Sequence, residues 1–200
     1  MELVRERRER SFPIGAGIFL GMGIGGFFDG ILLHQILQWH HMLSSGGYPP
    51  NDLGNLRFNV LWDGIFHVIT YIFVTIGLVW LWRAASQPHA PWSGKMFIGT
   101  ILMGFGLFNL VEGIVDHHIL GVHHVNETVP PEQWIYWDVG FLVWGALMLI
   151  VGWLLLQAGQ RETDLTATQP VAPAMPESTT PVMTQNRPQN PARRSKPRRR

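Results

Sequence analysis

The sequence predicts an all-α integral membrane protein: a four-helix bundle made of two tandem two-helix repeats, followed by a disordered C-terminal tail. The first observation is the placement of charge, since four of the 15 Lys and Arg lie in residues 1–10 and eight lie in residues 158–200. Residues 14–157 hold only three basic and eight acidic side chains among long apolar runs, a composition typical of membrane spans. The second observation is that the segment at residues 29–41 recurs at residues 112–124.

Four apolar runs predict the spans, at about residues 14–43, 58–82, 96–120 and 134–157. Each exceeds the ~20 residues that a helix needs to cross a ~30 Å hydrocarbon core. Residues 1–13 form a basic N-terminus. The tail at 158–200 is rich in Pro, Thr and Gln and ends in RRSKPRRR. Such a composition cannot bury a core, so we expect this tail to be disordered.

Loop charges predict the orientation. Nearly all Lys and Arg lie in the N-terminus, the 83–95 loop and the tail, whereas the 44–57 and 121–133 loops carry one Arg against three acids. Basic loops stay in the cytoplasm, so both termini are expected there. Because the basic residues lie in the termini and not in a folded patch, we exclude nucleic acid as a partner. The chain has no Cys, which excludes thiolate-bound metals.

The repeated segment pairs residues 29–41 with residues 112–124 without a gap, and we call this alignment the repeat register. Seven of the 13 positions are identical, three of them His, and the leading acid is kept as Asp29 and Glu112. The following spans also share a Trp-Asp pair. A two-span repeat returns the chain to the same side, so the halves are expected to be parallel, about a pseudo-twofold axis along the membrane normal. Equivalent side chains then lie at equal depth.

Ionisable side chains cluster in the outer half of the predicted spans. A helical rise of ~1.5 Å per residue places eight of the nine His and five acids there. Ionisable residues inside a membrane are costly and mark functional sites. The predicted metal ligands are Asp29, His34, His40, His41, Asp63, His67, Glu112, Asp116, His117, His123, His124 and Asp138.

In straight helices these residues divide into two groups. At 100° per residue, His34 lies about 140° round the helix from Asp29, so the two would not bind one ion. Either the helices deform, which Gly30 and Gly113 beside the acids would allow, or there are two sites. The favoured interpretation is an inner site made of Asp29, Asp63, His67, Glu112, Asp116 and Asp138. The paired His would form an outer rim, about 40 Å along the helices if these continue.

Imidazole with carboxylate suits zinc, iron, manganese or copper, and the plan resembles di-metal carboxylate bundles without their Glu-x-x-His spacing. Haem held by His34 and His117 is an alternative, which the nearby carboxylates disfavour. A metal site predicts a membrane metalloenzyme for hydrolysis or oxidation, with Asp116 or Asp138 as a base or as an orienting group. Metal binding and transfer on the outer face, or a structural role through inter-helix hydrogen bonds, are the other interpretations.

Gly17, Gly21 and Gly25 recur every four residues inside the first span. Gly21, Gly23 and Gly26 match a dinucleotide-binding fingerprint, but no strand precedes them and they lie inside a span. The four-residue glycine spacing therefore predicts close packing against another helix.

The motifs GGFFDGILLHQILQWHHM, LWDGIFHV and GLFNLVEGIVDHHILGVHHV, with the WD that follows them, resemble a family of predicted bacterial membrane proteins catalogued as a domain of unknown function. The likeness covers roughly residues 10–157. It implies a multi-pass protein of the bacterial cytoplasmic membrane, in contact with the lipid bilayer, and it brings no established activity.

Overall fold

A computed structural model of the chain describes residues 12–87 and 92–168, with side chains up to residue 165. The elements are α1 (Ile14–Phe28) with its π-helical continuation π1 (Asp29–Ile36), α2 (Leu53–Ala85), α3 (Gly94–Glu112) with its continuation π2 (Gly113–Ile119), a 3₁₀ turn (Pro131–Gln133) and α4 (Trp134–Thr168). No strand occurs in these described ranges. All four helices are long and apolar enough to cross a membrane, which confirms the predicted all-α, four-span fold.

The bundle is built around α1 and α3, which pack against each other. The helix α2 packs on α1, and α4 packs on α3. The buried share of each span agrees with this arrangement. It is highest, at 56%, in the first span, which is central, and lowest, at 11%, in the second span, which packs on its outside. The central pair therefore forms the interior, and the outer helices present most of their apolar surface to lipid.

Glycine allows the two central helices to approach closely. Gly21 lies against Gly104, and a Cβ on Gly21 would overlap the carbonyl oxygen of Ile101. A Cβ on Gly104 would overlap the carbonyl oxygen of Ile18 in the same way. The close packing that the glycine spacing predicted is confirmed, since backbone meets backbone at this crossing.

Both central helices widen at the acidic residue near their end. The N–H of Leu37 donates to the carbonyl of Leu32 at 2.8 Å, and the N–H of Leu120 donates to that of Val115 at 2.8 Å. These bonds reach back five residues, as in a π-helix. Because each π turn takes in more residues than an α turn, positions five apart come to one face. The wide angle expected for straight helices therefore does not occur, and the alternative of helices that deform beside Gly30 and Gly113 is the one that the structure has.

The first central helix ends at Ile36 and not at residue 43. Gln38 and Gly121, which are equivalent in the repeat register, adopt left-handed backbone with φ values of 50° and 58°, and the chain turns there. The two segments that follow are joined to each other, since the N–H of Ser45 donates to the carbonyl of Val122 at 3.0 Å. The prediction that the last His pairs project outward along continuing helices is therefore wrong.

The last helix extends further than expected, from Trp134 to Thr168. Disorder was predicted from residue 158, so this prediction is wrong for 158–168. Lys95 forms an ion pair with Glu162 on this extension, and the first helix-breaking residue is Pro170. The predicted disorder of residues 169–200, and most of the basic N-terminus, lie outside the described residues.

Candidate metal centre

Six ionisable side chains converge where π1 and π2 lie side by side. We call this group the buried cluster, and its members are Asp29, His34, His40, Glu112, His117 and His123. None is more than 4% exposed. Each half of the chain supplies one acid and two His, at positions that match in the repeat register.

The buried cluster contains three overlapping sets of three ligand atoms. Within each set, the atoms lie within 4.8 Å of one another. The sets are His34 with His40 and His123, Glu112 with His117 and His123, and Asp29 with His34 and Glu112. This spacing is compatible with binding of a metal ion by side chains from both halves. The π-helical turns make it possible, because they bring each acid near the His five residues later.

His40 and His123 are held in one tautomer by carbonyl groups. Nδ1 of His40 donates to the carbonyl oxygen of Val125 at 2.9 Å, and Nδ1 of His123 donates to that of Met42 at 3.1 Å. A carbonyl oxygen only accepts, so in each neutral ring Nε2 carries the lone pair. Both Nε2 atoms are buried and have no hydrogen-bond partner among the described residues.

Burial keeps these two rings neutral. It lowers the pKa of His40 well below its usual value and lowers the pKa of His123 to about 4, since a charged imidazole is poorly solvated there. Neutral imidazole is the form that binds metals. Both rings are therefore in the ligand-competent state near neutral pH.

His34 lies between two carboxylates. Its Nδ1 donates to Oδ1 of Asp63 at 2.9 Å, and its Nε2 faces Oδ2 of Asp29 at 3.0 Å without the angles of a hydrogen bond. A carboxylate behind one ring nitrogen, with the other nitrogen aimed at the site, is the arrangement that orients metal-ligating His.

Asp63 and Asp138 lie behind the buried cluster, where they accept hydrogen bonds from the segments that follow π1 and π2. Asp63 accepts hydrogen bonds from His41 Nδ1 at 2.7 Å and from the Met42 N–H at 2.9 Å. Asp138 accepts from His124 Nδ1 at 2.6 Å and from the Val125 N–H at 3.0 Å.

These bonds show how the structure uses four of the predicted ligands. Both oxygens of each aspartate are already used by donors, so Asp63 and Asp138 orient the neighbouring segments. His41 and His124 belong to this supporting layer with them. The role of an orienting group, which the sequence allowed for Asp138, agrees with the contacts of that residue.

The remaining predicted ligands lie outside the buried cluster. His67 is partly buried, its ring stacks on Phe27 with a centroid distance of 6.1 Å, and it belongs to none of the three ligand sets. Asp116 is partly buried and also belongs to none. Of the six residues of the favoured inner site, Asp29 and Glu112 belong to the buried cluster.

Two supporting residues were not predicted. Asn59 is fully buried, and its side chain accepts from the Leu43 N–H at 2.9 Å and donates to the Tyr48 carbonyl at 2.7 Å. Glu127 accepts from the His124 N–H at 3.0 Å. Asn59 precedes Asp63 by one helical turn on α2, a spacing that could have pointed to it.

Acceptors dominate the centre of the buried cluster. Eight of its buried side-chain atoms have no hydrogen-bond partner within the described chain, including both oxygens of Glu112 and both ring nitrogens of His117. Leaving one such group unpaired costs about 1–3 kcal/mol. Two carboxylates with imidazole lone pairs form a donor set that fits a metal cation.

The model of a family of predicted membrane proteins, DUF2243, matches residues 16–159. The chain belongs to this family. The DUF2243 match includes every member of the buried cluster and of its supporting layer, and it confirms the resemblance that the motifs indicated. DUF2243 is a family of unknown function, and no curated protein and no solved structure matches the chain.

Proposed function

We propose that the protein is a membrane metalloprotein in which the buried cluster holds a divalent transition metal as a resident centre. One observation carries the proposal. Four imidazoles and two carboxylates from both halves of the chain meet at no more than 4% exposure, and eight of their nitrogen and oxygen atoms lack hydrogen-bond partners within the described residues.

A purely structural role fits the supporting layer better than the centre. Asp63 and Asp138 use all their oxygens in hydrogen bonds, as groups that join helices do. The centre instead gathers acceptors: among its atoms without a partner, the one N–H of a neutral His117 ring is the donor. A bound cation would satisfy these acceptors.

The donor set favours zinc, iron, manganese or copper. Haem is disfavoured by the packing between its two candidate ligands, His34 and His117. The rings of His34 and His40 lie 4.3 Å apart between centroids, those of His40 and His123 lie 4.6 Å apart, and those of His123 and His117 lie 4.8 Å apart. His40 and His123 therefore take up the space that a porphyrin between these ligands would need.

Burial also favours a resident centre over a transfer site. A protein that passes an ion to a partner needs exposed ligands, whereas His34 and His123 are 0% exposed. A buried metal can activate water or undergo redox chemistry away from bulk solvent. We therefore infer a membrane metalloenzyme for hydrolysis or oxidation, with a metal-transfer protein as the alternative.

The location of the protein in the cell and the origin of its two halves are also part of the proposal. The basic loops favour termini in the cytoplasm of a bacterial cell, with the buried cluster toward the outer side of its cytoplasmic membrane. The tandem repeat is supported by matching hydrogen bonds in the two halves. His41 and His124 are equivalent in the repeat register, and each donates to the Asp of the Trp-Asp pair in the following span, Asp63 or Asp138.

Elemental analysis of the detergent-purified protein tests the metal centre. We expect stoichiometric metal in the wild type, strong loss of metal in His40→Gln and in His123→Gln, and full retention in the control His118→Gln, whose side chain is exposed. Size exclusion and circular dichroism of each variant separate loss of ligand from loss of fold. A wild type without metal, or cluster variants that bind as much as the control, would overturn the proposal, and a Soret band would favour haem.

A further inference from the structure

A cavity of about 420 Å³, which we call the polar cavity after the six polar residues in its lining, lies beyond the ends of the central helices. Its walls come from the two non-helical segments that follow π1 and π2 and from the start of α2, and they include Gln38, His40, His41, Ser44, Glu127 and Thr128. His40 is a member of the buried cluster, so the cavity and the centre share this residue as a common wall. A second cavity of about 390 Å³ has apolar and aromatic walls, and no member of the buried cluster lines it.

The lining of the polar cavity offers metal-binding atoms ahead of the centre. Nδ1 of His41 donates to Asp63, so in the neutral ring the lone pair is on Nε2. Glu127 adds a carboxylate to the same wall. Imidazole nitrogen and carboxylate oxygen are the ligand types that the proposed metals accept.

The carboxylate of Glu127 exceeds what its structural contact requires. Its Oε1 accepts from the His124 N–H at 3.0 Å and from Ser45 Oγ at 2.6 Å. At the equivalent position of the first half, Ser44 Oγ accepts from the His41 N–H at 3.1 Å. A hydroxyl is enough for this contact in one half, whereas the other half has a charged group that faces the cavity.

We propose that the polar cavity is the entry route of the metal ion, with Glu127 and His41 as the capture ligands that precede His40. This inference rests on the proposed metal centre. The negative charge of Glu127 raises the local concentration of cations at the opening and thereby the rate of encounter. It is not needed to retain the ion, because the ligands of the resident centre lie deeper.

The test measures uptake of Co²⁺ by chelator-stripped full-length protein in detergent, followed by visible absorption after rapid mixing. Glu127→Gln keeps an amide oxygen as acceptor for both hydrogen bonds and removes the charge. Glu132→Gln is the matched control, because Glu132 is exposed and does not line the cavity. Glu127→Asp tests rescue by charge.

We expect Glu127→Gln to slow uptake at least severalfold at low ionic strength, with the same final amount bound. Added salt narrows the difference, since screening weakens the attraction in the wild type. Glu132→Gln matches the wild type, and Glu127→Asp restores most of the rate.

An unchanged rate in Glu127→Gln, with full binding in every protein, would overturn the entry route and leave the metal centre intact. A lower final amount at an unchanged rate would make Glu127 a ligand of the resident ion and would also overturn it. A wild type that takes up no cobalt would overturn the route and the metal centre together.

Discussion

His40 and His123 stack face to face, with ring centroids 4.6 Å apart and planes inclined by 4°. Each donates through Nδ1 to a carbonyl in the other half of the chain, His40 to Val125 and His123 to Met42. The pair therefore joins the two halves while it leaves both Nε2 atoms free to bind. Assembly of the bundle and preparation of the site depend on the same hydrogen bonds.

Asp63→Asn is expected to weaken metal binding about 10–100-fold, the usual range for loss of a group that orients a ligand. Asp63 accepts from His34, His41 and the Met42 N–H, and an amide places an NH₂ against one of these donors. Isothermal titration of the stripped protein measures the affinity. Asp52→Asn is the control, because Asp52 caps α2 through the Asn55 N–H and Asn caps equally well. Equal affinity in both variants would contradict the orienting role.

His67→Gln and Asp116→Asn are expected to keep the full metal content. Both residues were predicted from sequence as ligands, but neither belongs to the three ligand sets of the buried cluster. Elemental analysis of both variants, with His40→Gln measured in parallel, compares their metal content. Loss of metal in either variant to the level of His40→Gln would show that the centre extends to α2 or further round π2.

Hydropathy predicted the four helices, and sequence position predicted that the ionisable residues gather near one end of them, because distance along a helix follows from sequence position. Rotation about the helix axis could not be predicted in this way. The π turns bring Asp29 beside His34, and no residue pattern specified that deformation, although Gly30 and Gly113 pointed to where it occurs.

The roles of the carboxylates were unpredictable for a related reason. Asp63 orients His34 because segments after the helices fold back and supply further donors to its carboxylate. That reversal depends on left-handed backbone at Gln38 and Gly121. Glycine signals such a turn, whereas glutamine does not, so the first span was predicted to continue to residue 43.

The left-handed backbone at Gly121 predicts the cost of a side chain there. A Cβ on Gly121 would meet nothing within 4 Å, so Gly121→Ala tests backbone conformation alone and is expected to destabilise the fold by about 1 kcal/mol. At the equivalent position, Gln38→Gly is expected to be neutral or to stabilise by up to about 1 kcal/mol, because relief of strain competes with the greater freedom of the unfolded chain. Thermal unfolding in detergent gives the sign of the stability change in each variant. A Gly121→Ala protein as stable as the wild type would contradict the prediction for Gly121.

The crossing of the central helices predicts that Gly21→Ala and Gly104→Ala each destabilise the bundle by about 1–3 kcal/mol, as overpacking of a tight contact does. The added methyl would overlap a backbone oxygen, that of Ile101 or of Ile18, and backbone cannot move aside without separating the helices. Gly64→Ala on α2 is the control, since a Cβ there meets nothing within 4 Å and alanine favours the helix. Thermal unfolding together with metal content gives the test: separation of α1 from α3 would part His34 and His40 from Glu112 and His117, so the two glycine variants should lose metal as well as stability. Full metal content in a destabilised Gly21→Ala protein would mean that the buried cluster is held together by its own hydrogen bonds and not by the helix crossing.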